Sequence, residues 1–314
     1  MDILLIVIYI IVVFLVLYQM SLELEAKQED KVDIFLEERT LEEQTQTQLD
    51  SQPNPRHMKA KFRNMSFGKK KKLSRPVLVL LFDTDKEVMI DPEEAKALQE
   101  SLGMNPEMIE DSAYDKIIIR ISPTNEMTLR EVPFISVSVN NDTNDMQVYL
   151  DWDSSSIDMM KQGNRVIRST PSIPIDLSQP QVATVVNPGM TVASNITVER
   201  RFSRTSETSK LFAPSQPIFD LKEKVAIARM TDPTKETDNI QSLYGLDLKV
   251  LIKHRTAGNH EFMHLLVPFI FKMKIKVDEP AFPPMRWFLR NFGKNRPKKG
   301  NWFWGSRPAD AKAD

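Results

Sequence analysis

The chain has 314 residues, with 42 Lys and Arg against 43 Asp and Glu, and a net charge of −1. Near-neutrality excludes a protein that is basic throughout, such as a histone-like nucleic-acid binder. A hydrophobic fraction of 41% with 27% charged residues excludes a polytopic transporter and a wholly disordered chain. Without Cys there is no disulfide framework, thiolate nucleophile or Cys-ligated metal.

The first predicted element is an unbroken apolar run from Ile3 to Tyr18. As a helix its sixteen residues cover about 24 Å, short of the ~30 Å hydrocarbon core of a bilayer, a mismatch that slight local thinning accommodates. No basic n-region precedes it and no small-residue cleavage site follows, so the reading is an uncleaved single-pass anchor over residues 1–20 rather than a signal peptide. Lys27, Lys31 and Arg39 follow the anchor, which puts the C-terminal bulk on the cytoplasmic side.

Charge is segregated from here on. Residues 21–50 hold ten acids and three bases, with no Gly or Pro and many good helix formers. They predict an acidic helical stalk over 21–52, solvated rather than coiled-coil because its apolar positions are sparse. Pro53 and Pro55 end it. A basic linker over 53–75 follows, with nine bases and no acid between Arg56 and Arg75, including Lys69, Lys70, Lys71 and Lys72. Such a run suits anionic lipid head groups, at about 1 kcal/mol per base near the surface, and suits RNA phosphates less.

Residues 76–281 predict an all-β domain with one or two helices. An apolar run ending at Phe82 reads as a buried strand. Asp91-Pro92-Glu93-Glu94 is a helix start, with Asp as N-cap and Pro at the first position. The period then becomes two: Lys116 to Ser122, Phe134 to Val139, Met146 to Trp152, Arg165 to Ser169, Thr191 to Val198, Leu246 to His254 and Phe262 to Val277. In the last, Phe271, Met273, Ile275 and Val277 alternate with Lys272, Lys274 and Lys276, an apolar face against a basic one. Pro188-Gly189 marks a turn. Seven or more short strands with turns between them predict two packed antiparallel sheets. The stretch from Val139 to Ser169, a strand, a polar turn, a strand ending in Trp152-Asp153 and a Gly turn, resembles immunoglobulin-like domains of bacterial envelope proteins. The expected fold is therefore an immunoglobulin-like antiparallel β-sandwich behind a transmembrane helix and helical stalk.

The tail, 282–314, is basic and aromatic. Arg286 and Arg290 flank Trp287 and Phe288, and Trp302, Phe303 and Trp304 follow, with no acid between Phe282 and Pro308. Bases with Trp and Phe form the composition of an interfacial segment, because the Trp ring is apolar while its N–H needs a polar partner.

Three constellations resemble chemistry. His260-Glu261-Phe262-Met263-His264 fits H-E-x-x-H, the zinc-peptidase signature, which needs both His on one helical face. Here it leads into a period-two strand, where the two His would stand about 13 Å apart, too far to share one zinc. Asp83, Asp85, Glu87, Asp91 and Glu94 follow calcium-loop spacing, but Val88 occupies the position that requires Gly. Asp142, Asp145, Asp151 and Asp153 fall at opposite ends of one hairpin strand, as turn chemistry explains. Neither a metal nor another cofactor is expected. The function expected is non-catalytic: a scaffold, assembly factor or accessory subunit whose partners are the lipid bilayer and a membrane protein or complex, with neither nucleic acid nor a small-molecule substrate. A membrane-tethered zinc peptidase and a membrane-tethered RNA-binding protein are the alternatives.

Overall fold

A computed structural model describes residues 5–10, 12–14, 16, 31–53, 56–66, 74–85, 93, 96, 106–159, 162–169, 174–206, 209–225, 241–254 and 262–276. In chain order the elements are β1 (Lys31–Leu36), α1 (Glu38–Asp50), β2 (Met58–Ser66), β3 (Ser74–Phe82), α2 (Pro106–Ser112), β4 (Lys116–Ser122), β5 (Asn125–Thr128), β6 (Glu131–Val132), β7 (Ile135–Asp142) and β8 (Met146–Met159). They continue with β9 (Gln162–Ser169), β10 (Thr184–Val186), β11 (Met190–Val198), a 3-10 turn (Glu199–Arg201), β12 (Phe202–Arg204), β13 (Phe212–Pro214), β14 (Phe219–Asp220), β15 (Gln241–His254) and β16 (Met263–Lys276).

One compact unit runs from Val32 to Ile275 and takes in residues 32–52 of the expected stalk and the segment expected as linker. The stalk is not one helix. Val32, Ile34 and Leu36 are buried while the residues between them are half-buried, a period of two that makes β1 a strand. Among the described residues of this segment only Glu38–Asp50 is helical, and it buries Leu41, Thr45 and Leu49. Within the expected linker, Met58–Ser66 forms β2: Met58 and Ala60 point inward, and Lys59 points to solvent. Lys59, Lys61 and Arg63 alternate with apolar residues, so this part of the basic run forms one face of a strand.

The protein is mostly β and antiparallel. Twelve strands form one curled sheet in the order β2-β3-β4-β7-β11-β9-β8-β15-β16-β1-β5, with β10 pairing β8, and β12–β13 and β14–β6 form two small separate pairs. Two separately bonded sheets were expected. The difference lies in β9, whose residues 162–165 pair with β8 while residues 166–169 pair with β11. The strand thus passes from one layer into the other. Inward side chains of both layers share one core, in which Trp152 is fully buried. The indole N–H of Trp152 donates to Thr184 Oγ1 at 2.8 Å. Beyond Trp152, where the predicted strand stops, β8 continues through an irregularity. The β15 register jumps from Asp247↔Ser156 to Lys249↔Asp151. Ser155 Oγ bridges the gap, donating to Asp151 O at 2.6 Å and accepting from Lys249 N at 3.0 Å. The expected Pro188-Gly189 turn is present, with Gly189 at φ 70, a conformation that favours Gly.

Helix α1 stands between two strand edges. On one flank, Gln46 Oε1 accepts from Ala60 N of β2 at 2.8 Å. On the other, Gln48 and Gln52 each exchange two hydrogen bonds with the β16 backbone, at Leu266 and His264. Core residues Leu41, Thr45 and Leu49 lie between these flanks. The helix thereby satisfies peptide groups that a further strand would otherwise take.

Among the described residues no helix is long and apolar enough to cross a membrane. In the expected anchor, residues 5–10, 12–14 and 16 are helical and their side chains are exposed, Leu5 and Phe14 each at 69%.

Candidate functional site

The chain turns sharply after β4. Pro123 cannot donate to a sheet ladder, and Ser122-Pro123 is a cis peptide. Asn125 follows at φ 74, a left-handed conformation that Asn tolerates better than most residues. The short strands β5 and β6 then run back to β7. Between these pieces lies an open cleft of about 680 Å³.

The cleft lining carries charges of both signs: Arg75 and Arg130 with Glu126 and Glu131. Ser122, Thr124 and Ser136 add hydroxyls. Phe134 also lines the cleft and is 45% exposed, although large apolar side chains are usually covered. On β4, half-buried Arg120 is held below the usual guanidinium range, first by burial and then by repulsion from Arg75. The lining can therefore hold a segment that brings its own charges and an apolar side chain. β6 is backed by β14, with Phe219 opposite Val132.

A second polar cluster ties one end of the sheet together. Arg56 donates to Asp83 through Nε at 2.9 Å and again through Nη2. It also reaches Asp115 at 3.0 Å and Asp145 at 2.8 Å. Asp145 in turn meets His254 Nε2 at 2.6 Å. The hydrogen bond to Asp83 raises Arg56 above its usual value against the opposing effect of burial, and Asp115 and Asp145 add to the rise. This geometry connects the ends of four strands and the β7–β8 turn.

The residues singled out in the sequence fall as follows. Lys69, Lys70, Lys71 and Lys72 lie outside the described residues, as do Arg286, Trp287, Phe288, Arg290, Trp302, Phe303 and Trp304. Of the calcium-type spacing, Asp83 meets Arg56 and Asp85 meets His57 at 3.2 Å, while Glu87, Asp91 and Glu94 lie outside the described residues. Of H-E-x-x-H, His264 sits within strand β16 with its backbone bonded to Gln52, and His260 and Glu261 lie outside the described residues. Among the described residues no group of three or more His, Asp or Glu is placed to hold a metal ion. On the basic face of β16, Lys272 pairs with Glu37 at 3.0 Å.

The cleft was not legible in the sequence. Residues 123–133 show neither a period of two nor a helical stripe, and Pro123, Asn125 and Pro133 signal only turns. Comparison with protein-family models, curated proteins and solved structures gives no match.

Proposed function

We propose that the protein is a non-catalytic, single-pass membrane scaffold or accessory subunit that presents its curled sheet to a protein partner through the cleft beside Phe134. The observation that carries this reading is the exposed apolar helix of residues 5–10, 12–14 and 16, which has no polar face. A helix that is apolar all round needs a bilayer or a protein core to cover it. The cleft supports the second half of the reading, since an exposed Phe framed by Arg and Glu suits a protein surface better than a small metabolite. The sheet lies on the cytoplasmic side in this reading, following Lys27, Lys31 and Arg39. A second membrane or partner contact comes from Arg286, Trp287, Phe288, Arg290, Trp302, Phe303 and Trp304, together with Lys69 to Lys72. Two such attachments hold more firmly than either alone. The immunoglobulin-like form of the sandwich rests on β7, β8 and Trp152, and the scaffold reading needs only the curled sheet.

The test has two arms on the full chain. Carbonate extraction of membranes should leave the wild type in the pellet and release an Ile8→Lys, Val12→Lys variant. A photo-crosslinker at Phe134 should capture a discrete partner band in detergent-solubilised membranes, and a crosslinker at exposed Val182 should not. Release of the wild type by carbonate would overturn the anchor. Identical crosslinking from both positions would overturn the cleft.

A further inference from the structure

We infer that the cleft beside Phe134 takes an extended acidic segment of a partner protein, which adds to the sheet as one more strand. This rests on the reading of the cleft as a protein-binding surface. Successive side chains of a strand point to opposite faces, so a cleft that meets one face is lined by every second residue. Here Asn125, Glu126 and Met127 of β5 line it in succession. So do Glu131 and Val132 of β6 and the residues on either side of them. The cleft thus meets both strands at their edges.

Among the described residues both edges are open. β5 ends the order of the large sheet, with β1 as its one neighbour, and β6 pairs with β14 alone. A strand with one neighbour uses half of its peptide groups, because they point alternately to its two sides. Around β6 the carbonyls of Arg130 and Val132 accept from Leu221 N at 3.2 Å and Ile218 N at 2.8 Å, beside β14. The N–H and C=O of Glu131, between them, point the other way, and no described residue is hydrogen-bonded to them. At the opposite end of the sheet α1 covers β2, where Gln46 and Glu42 accept from Ala60 N and Phe62 N.

Charge on the lining sets the chemistry of the added strand. Arg75 and Arg130 are exposed, and among the described residues neither has a salt bridge or a side-chain hydrogen bond. Glu126 already has a partner, so Glu131 alone among the lining carboxylates stands against two free guanidinium groups. Arg75 also repels half-buried Arg120 on β4, and a carboxylate at Arg75 relieves that repulsion. Arginine holds a carboxylate through two parallel N–H bonds, which favours Asp or Glu on the incoming strand. Apolar residues alternating with those acids cover exposed Phe134. Main-chain bonds to the open edge supply affinity, and the alternate side chains supply selection.

The experiment titrates the full chain, in mild neutral detergent, with the capped peptide Ser-Val-Glu-Val-Glu-Val-Ser up to millimolar concentration in a calorimeter. The controls are the same peptide with Lys for Glu and two N-methylated forms, one methylated at every Val and the other at every Glu. Saturable binding of the acidic peptide is expected, at least about tenfold tighter than that of the Lys peptide. Each N-methylated form has lost the donors along one of its two edges, so one of the pair should bind at least about tenfold more weakly. Arg75→Gln and Arg130→Gln should each weaken binding by about tenfold, as loss of one charge-assisted hydrogen bond implies. Arg204→Gln, on β12 outside the cleft, should leave it unchanged. Neither Arg75 nor Arg130 is tied to a described side chain, so both variants should fold. Absence of saturable binding overturns the added strand, as does equal binding of the acidic and Lys peptides or of the parent and both N-methylated forms. Displacement of the peptide by single-stranded oligothymidylate would assign the cleft to nucleic acid and overturn it as well. Failure of the peptides with a discrete crosslinked band at Phe134 overturns the strand and keeps the protein-binding cleft, whereas failure of both overturns the cleft too.

Discussion

The side-chain amide of Gln48 and the peptide groups of Leu266 close a two-bond ring. Gln48 Nε2 donates to Leu266 O at 2.7 Å, and Leu266 N donates to Gln48 Oε1 at 2.7 Å. One turn further on, Gln52 repeats the arrangement with His264. An amide is the side chain for this task, because it carries a donor and an acceptor side by side, as the edge of a strand does.

Gln48→Ala should therefore cost about 1–2 kcal/mol, the net worth of two hydrogen bonds. Gln48→Glu should recover little of it, since a carboxylate accepts from Leu266 N but cannot donate to Leu266 O. Urea unfolding of the three proteins measures both effects. Equal stability of wild type and Gln48→Ala would show that solvent replaces the Gln48 amide without loss.

Tyr244 is expected to behave in the opposite way. Its ring is stacked on Phe271 at 4.3 Å and meets Phe219 at 5.3 Å, but its buried hydroxyl has no hydrogen-bond partner. Burial also pushes the phenol well above its usual value. Tyr244→Phe keeps the ring and removes the stranded hydroxyl, so stability should hold or rise by up to about 1 kcal/mol. A clear loss in calorimetry would mean that the hydroxyl has a partner of its own.

Asp247 gives stability a pH dependence. Burial raises its carboxyl, and Asp158, diagonally across on β8, raises it further against a hydrogen bond from Ser156. A folded-state value above the ordinary 3.8 means that ionisation weakens the fold. The penalty is complete above the raised value and absent below 3.8. Asp247→Asn should therefore be more stable than wild type at neutral pH, with the advantage disappearing as pH falls through that window. A constant advantage at all pH values would locate the effect elsewhere.

Arg56 should be hard to replace. Lys retains the charge but lacks the fork that reaches Asp83, Asp115 and Asp145 together. Arg56→Lys should cost about 2 kcal/mol in urea unfolding, comparable to a lost charge-assisted hydrogen bond. Salt should reduce this difference only slightly, since the Arg56 side chain is 15% exposed.

A fragment beginning at residue 76, where the sequence suggests that the β domain starts, should not fold. It lacks β1, α1 and β2, leaving the edges of β3 and β16 open. A fragment beginning at residue 21 keeps all three and should give a cooperative unfolding transition. Cooperative unfolding of the shorter fragment would show that these elements are accessory.

Legibility in the sequence followed contrast. β3 and β4 carry continuous apolar runs, and β7, β11 and β16 alternate apolar and polar residues between turn signals; each lies close to its predicted span, while β15 begins at Gln241, five residues before its predicted start. β1 and β2 alternate as well, but among so many Glu and Lys that composition hid the period. α1 has helical composition, yet its role depends on β2 and β16, which its own residues do not reveal. The cleft needs Arg75 beside Phe134, a proximity that only the sheet order creates.

The ring between Gln48 and Leu266 also has a consequence for biosynthesis. Its two halves are 218 positions apart in the chain. A ribosome releases α1 among the first folded pieces and β16 among the last, so the helix waits through most of translation without its second edge. Closure is therefore a late event, and the nascent sheet spends that interval with open strands. Chaperone occupancy on stalled nascent chains should stay high until β16 has emerged and then fall.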